Sequence, residues 1–193
     1  TIMDYNGRVV AMVGGAGEKG TFRGLNRASQ SPRQPGSSIK PLAVYAPAVD
    51  QGLVTASSTI LEKAIYYGGK EWPRNFNGDH GSGKYVTVET ALVKSLNTVP
   101  VRILHEMLGT KASMKYCNEN FHLNLIDSPT PQGDRDLSPL AVGGTNTGVT
   151  TLEMAAAFAA FGNGGKYFEP YCYTKVTDST GQNIILQKSS EGE

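Results

Sequence analysis

A long loop that ends at a proline-glycine pair and gives way to a helix most limits how this chain can fold. Residues 14–36 are rich in Gly, Arg, Ser, Gln and Pro and read as an ordered loop. Pro35-Gly36 closes it, and the pattern over 37–51 predicts a helix ended by Gly52. Pro41 falls in the first turn, where amide donors lack partners anyway, whereas Pro47 does not and predicts a kink. The run Gly36-Ser37-Ser38-Ile39-Lys40-Pro41 therefore opens the helix with a serine and a lysine three positions apart. Residues at that spacing share a helix face. A lysine that is buried or crowded by cations loses its proton near neutral pH, and the neutral amine can activate a serine without any histidine. Ser37 is thus a candidate acylation site. Its own amide, at the positive end of the helix dipole, could stabilise an oxyanion.

A second pair, Ser95 and Asn97, lies in a break between helices predicted over 86–94 and 99–108. The break can point a hydroxyl and an amide into one cleft. The hydroxyl could pass a proton, and the amide could hold Lys40 or a substrate carbonyl. Each pair alone has a bland reading: S-x-x-K usually lies on a solvated helix face, and a Ser or Asn at a helix break is usually a cap.

Elsewhere the organisation is mixed. Apolar runs at 2–5 and 8–13 flank Asn6-Gly7, a strong signal for a hairpin with a type I′ turn. Residues 66–85 read as a surface loop. Thr110 caps a short helix to about Glu119, and Thr150-x-x-Glu153 is a capping box before an alanine-rich helix, 152–162, closed by Gly164-Gly165. Residues 171–177 and 183–187 suggest a second hairpin. Strands at both ends with helices between them point to an α+β arrangement rather than βαβ repeats.

The composition excludes several classes. With 193 residues the length favours one domain with a single core, and 39% hydrophobic and 18% charged residues fit a globular chain. A net charge of +1 supplies no basic stripe, so nucleic acid is not an expected partner. No apolar run is long enough to span a membrane. The chain begins at Thr1 without an initiator methionine or a signal peptide, which predicts a piece cut from something longer. Cys117 and Cys172 leave open either one disulfide in an oxidising compartment or two unpaired buried thiols, and the low count favours the thiols.

Three patterns imitate other chemistries. Gly15-Ala16-Gly17-Glu18-Lys19-Gly20 matches a dinucleotide fingerprint, but no helix follows at once and 33–41 contain no acid. Gly78 to Lys84 nearly makes a phosphate loop, but Tyr85 stands where Ser or Thr must bind magnesium. His105-Glu106 starts like a zincin, but position 109 is glycine; His80, His105 and His122 make no metal spacing, and no metal or cofactor is expected.

The segment from Arg33 to Pro41 resembles the active-site stretch of the class A, bifunctional penicillin-binding proteins. The resemblance extends over nearly the whole chain. It includes Gly7 to Gly15 as an opening hairpin, Asn26-Arg27-Ala28 before the nucleophile, and Trp72-Pro73-Arg74-Asn75-Phe76 ahead of the second motif. It continues through Ala91 to Thr98 around Ser95-Leu96-Asn97, and through Gly148-Val149-Thr150 with Leu152 to Ala155. It implies the penicillin-binding protein/β-lactamase-like fold, an antiparallel sheet flanked by helices, with residues 1–193 forming the N-terminal part of a transpeptidase domain. It further implies that Ser37 is acylated, that Lys40 is its base, and that Ser95 and Asn97 are the second motif. The reaction implied is D,D-transpeptidation, in which the serine attacks a D-Ala-D-Ala bond and a second stem peptide's amine takes the acyl group. β-Lactams would then acylate Ser37 and inhibit. The implied location is the extracytoplasmic face of the bacterial cell membrane, anchored by an N-terminal segment absent from this chain.

One departure stands out. The third motif of that family, Lys-Thr/Ser-Gly on a strand, is absent, since Lys188-Ser189-Ser190 lacks the glycine. The expectation is therefore an incomplete site, finished by a second chain that carries the missing strands, with an unpaired edge on the first hairpin. Two rival readings use the same residues differently: a β-lactamase or β-lactam sensor, or a non-catalytic cell-wall binding module.

Overall fold

The structure is a computed structural model that describes residues 1–18, 20 and 22–187. In chain order it forms β1 (Ile2–Met3), β2 (Val9–Ala11) and the short helix α1 (Arg27–Gln30). A 3-10 turn (Gly36–Ile39), a π-helical turn (Pro41–Tyr45) and α2 (Ala46–Asp50) then run on without a break. β3 (Thr59–Leu61), β4 (Ile65–Tyr67), β5 (Lys70–Trp72) and β6 (Tyr85–Thr87) follow. Next come α3 (Val88–Val93), α4 (Thr98–Ile103) with a π turn (Leu104–Leu108), α5 (Thr110–Asn120) and α6 (Leu137–Val142). α7 (Thr151–Ala159), β7 (Lys175–Thr177) and β8 (Ile184–Gln187) complete the described chain. All four strand pairs are antiparallel and two-stranded: β1-β2, β3-β6, β4-β5 and β7-β8. None of the helices is long and apolar enough to cross a membrane, among the described residues.

Two compact units emerge. One holds residues 1–32, 121–123 and 149–193. Its first hairpin does not use the expected type I′ turn. Gly7 has φ 84°, but Asn6 keeps a negative φ, because the Asp4 carboxylate accepts the amides of Asn6 (3.0 Å) and Arg8 (2.9 Å). The result is a longer, three-residue loop, in which Gly7 N donates to Asp4 O at 3.3 Å and Asp4 N to Arg8 O at 2.9 Å. The outer edge of β2 is partly occupied: Tyr171 exchanges backbone bonds with Gly7 and Val9. α7 begins with the expected capping box, Thr150 Oγ1 accepting from Glu153 N at 3.1 Å while Glu153 Oε2 accepts from Thr150 N at 2.6 Å.

The other unit, residues 33–120 and 124–148, contains every candidate catalytic residue. Its centre is apolar: Ile39, Leu42, Val44, Val99, Val101, Ile103, Leu104, Met114 and Leu140 are fully buried. The helix expected over 37–51 is present but composite, and its prolines explain why. Pro47 has no N–H to give to Ala43 O, so that carbonyl accepts the buried Ser113 hydroxyl at 2.6 Å instead. The chain widens to a π turn over the same stretch, with Ala46 N reaching back to Pro41 O.

Residues 66–85 are more ordered than the loop expected there. Gly68 (φ 58°) and Gly69 (φ 81°) both take the left-handed conformation between Tyr67 and Lys70, so the two-residue positive-φ turn occurs here, in the β4-β5 hairpin. The expected start of the next helix at Val86 is also corrected, because 85–87 pair with β3 and Thr87 caps α3. Both cysteines are free; Cys117 is buried, which pushes its thiol up to about 12, but Cys172 is exposed rather than buried. Lys188-Ser189-Ser190 lies outside the described residues.

Candidate active site

The 3-10 turn Gly36–Ile39 sets Ser37 and Lys40 on one turn of chain, with Lys40 N donating to Ser37 O. Ile39 inserts into the core and carries Lys40 with it, so this lysine is only 1% exposed. Ser37 and Ser38 are both exposed. Ser38 Oγ donates to Pro35 O at 2.6 Å, whereas Ser37 Oγ takes part in no hydrogen bond among the described residues. Of the two neighbouring hydroxyls, Ser37 is the one left available.

The turn is held from behind. Gly36 N donates to Gly143 O at 3.3 Å, and Gly143, at φ 80° just past α6, lies so close that a Cβ there would sit 2.0 Å from Gly36 O. Gly148 does the same for the approach, since its Cβ would meet the Arg33 backbone at 2.7 Å. Both positions need glycine for space and for backbone angle.

Lys40 Nζ is met by the break between α3 and α4. It donates to Ser95 O at 2.9 Å, Ser95 Oγ at 3.3 Å and Asn97 Oδ1 at 2.6 Å. Three acceptors match the three donors of an ammonium. No carboxylate is among them, and burial drives the Lys40 pKa down to about 8. A large fraction of a neutral amine at mildly alkaline pH follows. Nothing bonds Lys40 Nζ to Ser37 Oγ directly.

The break has the form of a helix stop. Ser95 N donates to Leu92 O and Leu96 N to Ala91 O, both at 3.0 Å, the two bonds of a Schellman motif. Ser95 occupies its left-handed position at φ 50°, where glycine is the usual residue. Asn97 then takes the N-cap position of α4 but makes no side-chain capping bond. Its Nδ2 donates to Arg74 O at 2.7 Å, which turns Oδ1 towards Lys40. The bland reading of both residues as caps is therefore half right in place and wrong in use.

All four residues named from the sequence lie in this one unit, and the structure joins three of them by hydrogen bonds. Arg74 and Asn75 were quoted only as part of a resemblance, and Gly143 not at all. The Val142-Gly143-Gly144 helix end was the one local signal. Beside Arg74 lies an open cavity of about 590 Å³ lined by Lys70, Glu71, Trp72, Arg74 and His80. Among the described residues no cluster of His, Cys, Asp or Glu could hold a metal.

The family description "Penicillin binding protein transpeptidase domain" matches residues 1–191. The chain belongs to this family. Penicillin-binding protein 4 of Bacillus subtilis is 38% identical over 180 residues, covering 92% of this chain and 26% of that protein. Penicillin-binding protein 1A of Clostridium tetani is 36% identical over 202 residues, covering 97% of this chain and 24% of its own length. The chain thus spans about a quarter of these curated relatives. Among solved structures, the penicillin-binding protein PonA1 of Mycobacterium tuberculosis superposes with a TM-score of 0.75 at 23% identity, covering 99% of this chain and 48% of that one. Penicillin-binding protein A of the same organism, solved as an imipenem acyl-enzyme complex, gives 0.69 at 22% identity over 87% of this chain and 41% of that one. The penicillin-binding transpeptidase fold is therefore the fold of this chain, here carried by helices and small antiparallel sheets.

Proposed function

We propose that this chain carries the acylation machinery of a D,D-transpeptidase that cross-links peptidoglycan stem peptides and is inhibited by β-lactams at Ser37. The observation that carries this reading is Lys40: buried, free of any carboxylate, depressed to about 8, and aimed at Ser95 and Asn97. The neutral amine keeps two donors, for Ser95 O and Asn97 Oδ1, and gains a lone pair. That lone pair takes the Ser37 proton as Oγ attacks the carbonyl carbon of the terminal D-Ala-D-Ala bond. The proton then passes through Ser95 Oγ to the leaving amine, the last D-alanine departs, and an acyl-Ser37 remains. An acceptor amine from a second stem peptide attacks this ester, and the proton returns by the same path. Catalytic hydrogen bonds often form fully only when substrate binds, so the lack of a Ser37–Lys40 bond is compatible with this step.

The acyl-enzyme described for penicillin-binding protein A supports the same chemistry in a relative of like fold. The 193 residues contain no Lys-Thr-Gly or Lys-Ser-Gly triplet. A strand bearing that triplet would supply the contacts to the substrate carboxylate and a further oxyanion donor, worth about 100- to 1000-fold in rate. The extracytoplasmic membrane face is the proposed location.

The main test is labelling of the intact protein by fluorescent penicillin. Wild type should form a long-lived adduct on Ser37 by peptide mapping, and Ser37→Ala should form none. An adduct that survives Ser37→Ala overturns the assignment. Adduct turnover in well under a minute would make the protein a β-lactamase, and no adduct at all in wild type would leave a binding module.

A further inference from the structure

Asn97 stands at the N-cap of α4 without using its side chain there, while its own backbone amide and that of Thr98 are met by a side chain from elsewhere in the unit. That partner is Asn75. Its Oδ1 accepts from Asn97 N at 2.8 Å and from Thr98 N at 3.4 Å. Its Nδ2 donates to Glu62 Oε1 at 3.0 Å and to Asp79 Oδ1 at 2.9 Å. Both lone pairs and both amide hydrogens are used, which is the full capacity of the side chain. Asn75 is 7% exposed and Glu62 8%, so their bond to each other is buried, while the bond to Asp79 reaches an exposed carboxylate.

The orientation of this amide is fixed by chemistry. Carboxylates accept and backbone amides donate, so Nδ2 must face Glu62 and Asp79, and Oδ1 must face α4. Bonds from Asn77, the Gly81 amide and Asn75 hold the Asp79 carboxyl below its ordinary value, which keeps it an acceptor. Glu62 is itself held by the Ser82 hydroxyl and amide, and Gly81 presses so closely on Glu62 that a Cβ would lie 2.4 Å from its carbonyl oxygen. The Asn75 backbone is tied in as well, N donating to Asp79 O at 2.9 Å.

Resting on the acyl-serine reading, we propose that Asn75 is a positioning residue for the reaction: by accepting from the Asn97 and Thr98 backbone amides, it fixes the stretch of backbone from which the Asn97 side chain reaches Lys40. Glu62 and Asp79 hold Asn75, Asn75 holds the Asn97 and Thr98 amides, and Arg74 O holds the Asn97 side-chain amide. A chain of fixed contacts thus runs from two carboxylates to the base without any charge reaching Lys40. The titratable groups around Asn75 are Glu62, Asp79, His80 and Arg74, while Lys40 Nζ is bonded only to the uncharged, non-titrating Ser95 and Asn97. Without Asn75, the Asn97 and Thr98 amides lose their acceptor, the backbone that carries Asn97 shifts, and water gains access to Lys40. Displacements of about 1 Å at a site can cost about 100-fold in rate.

The test measures β-lactam acylation rate per folded active site against pH in the intact protein. Asn75→Ala should lower the rate roughly 10- to 100-fold and move the alkaline-rising midpoint upward from about 8, towards ordinary lysine. Lys115→Ala, which removes only an exposed ion pair with Glu119 on α5, should leave both unchanged. A folded Asn75→Ala with wild-type rate and midpoint overturns the proposal, as does a loss that only tracks the folded fraction with the midpoint unmoved. If Asn75→Ala does not fold, Glu62→Gln decides: it keeps an acceptor for Asn75 but a weaker one, so a few-fold loss with an upward midpoint supports the proposal, and no change overturns it. Failure of the acyl-serine reading looks different, because wild type then forms no Ser37 adduct.

Discussion

Asn97 and Thr150 hold the same structural post, the residue before the first turn of a helix, and use it in opposite ways. Thr150 spends its side chain on its own helix, accepting from Glu153 N and receiving Glu153 in return. Asn97 spends nothing on its helix and points at Lys40 and Arg74 O. The first arrangement is what stability alone selects. In the second, Asn75 from a distant loop anchors the backbone at the start of α4, and the Asn97 side chain is left to Lys40. A polar residue at a cap position whose side chain ignores the cap is thus a marker of chemistry.

The largest expected break in this comparison comes at the other end of the Asn97 contact. Lys40→Met should cut acylation by about 100- to 10,000-fold, the range for a general base, while leaving the protein no less stable at neutral pH. The sign follows from linkage. The folded pKa, about 8, lies below the ordinary 10.5, so the unfolded chain binds more protons between these values and stability rises with pH across that window. Urea midpoints at pH 7 and pH 9.5 check this: wild type should gain on the alkaline side more than Lys40→Met does. Equal gains would show that Lys40 is solvated.

A smaller effect is expected at Ser95, where the same conflict exists within one residue. Ser95→Gly relieves a left-handed backbone and should stabilise by roughly 1 kcal/mol in thermal or urea unfolding. It also deletes a hydroxyl beside Lys40, and acylation should fall on the order of 100-fold. Gain of stability without loss of rate would place the proton path elsewhere. The smallest effect belongs to the ordinary cap. Thr150→Ala should cost about 1 kcal/mol of stability and leave acylation per folded site unchanged. A changed rate there would blur the line between the two caps.

Much of this contrast was legible in the sequence, because it is written locally. Thr150 and Glu153 are a capping box at fixed spacing, and Ser37 and Lys40 share a turn by counting alone. The break at 95–97 was visible too, and so was its alternative reading as a cap. Other features depend on partners far along the chain. Lys40 is buried by core residues around Ile39 and met by a segment 55 to 57 residues later, which no local pattern reports. The composite helix over 36–50 follows from Pro47, but the hydroxyl that rescues Ala43 O comes from Ser113. The β4-β5 hairpin was hidden inside a Gly- and Asn-rich stretch, although Gly68-Gly69 between Tyr67 and Lys70 is itself a hairpin signal. α6 was missed because it is short and contains Pro139, and its Asp136 cap precedes no long apolar period.

The close approach of Gly143 to Gly36 has a consequence for synthesis. These two glycines are separated by 107 positions, and the turn that presents Ser37 leans on the later one. At about 5 to 20 residues per second on a ribosome, Ser37 exists for roughly 5 to 20 seconds before its support has been made. During that interval the newborn chain lacks the backbone support that holds the Ser37 turn in place. Antibiotic reactivity should therefore appear late in translation and abruptly, when residues around Gly143 emerge, rather than when the serine does.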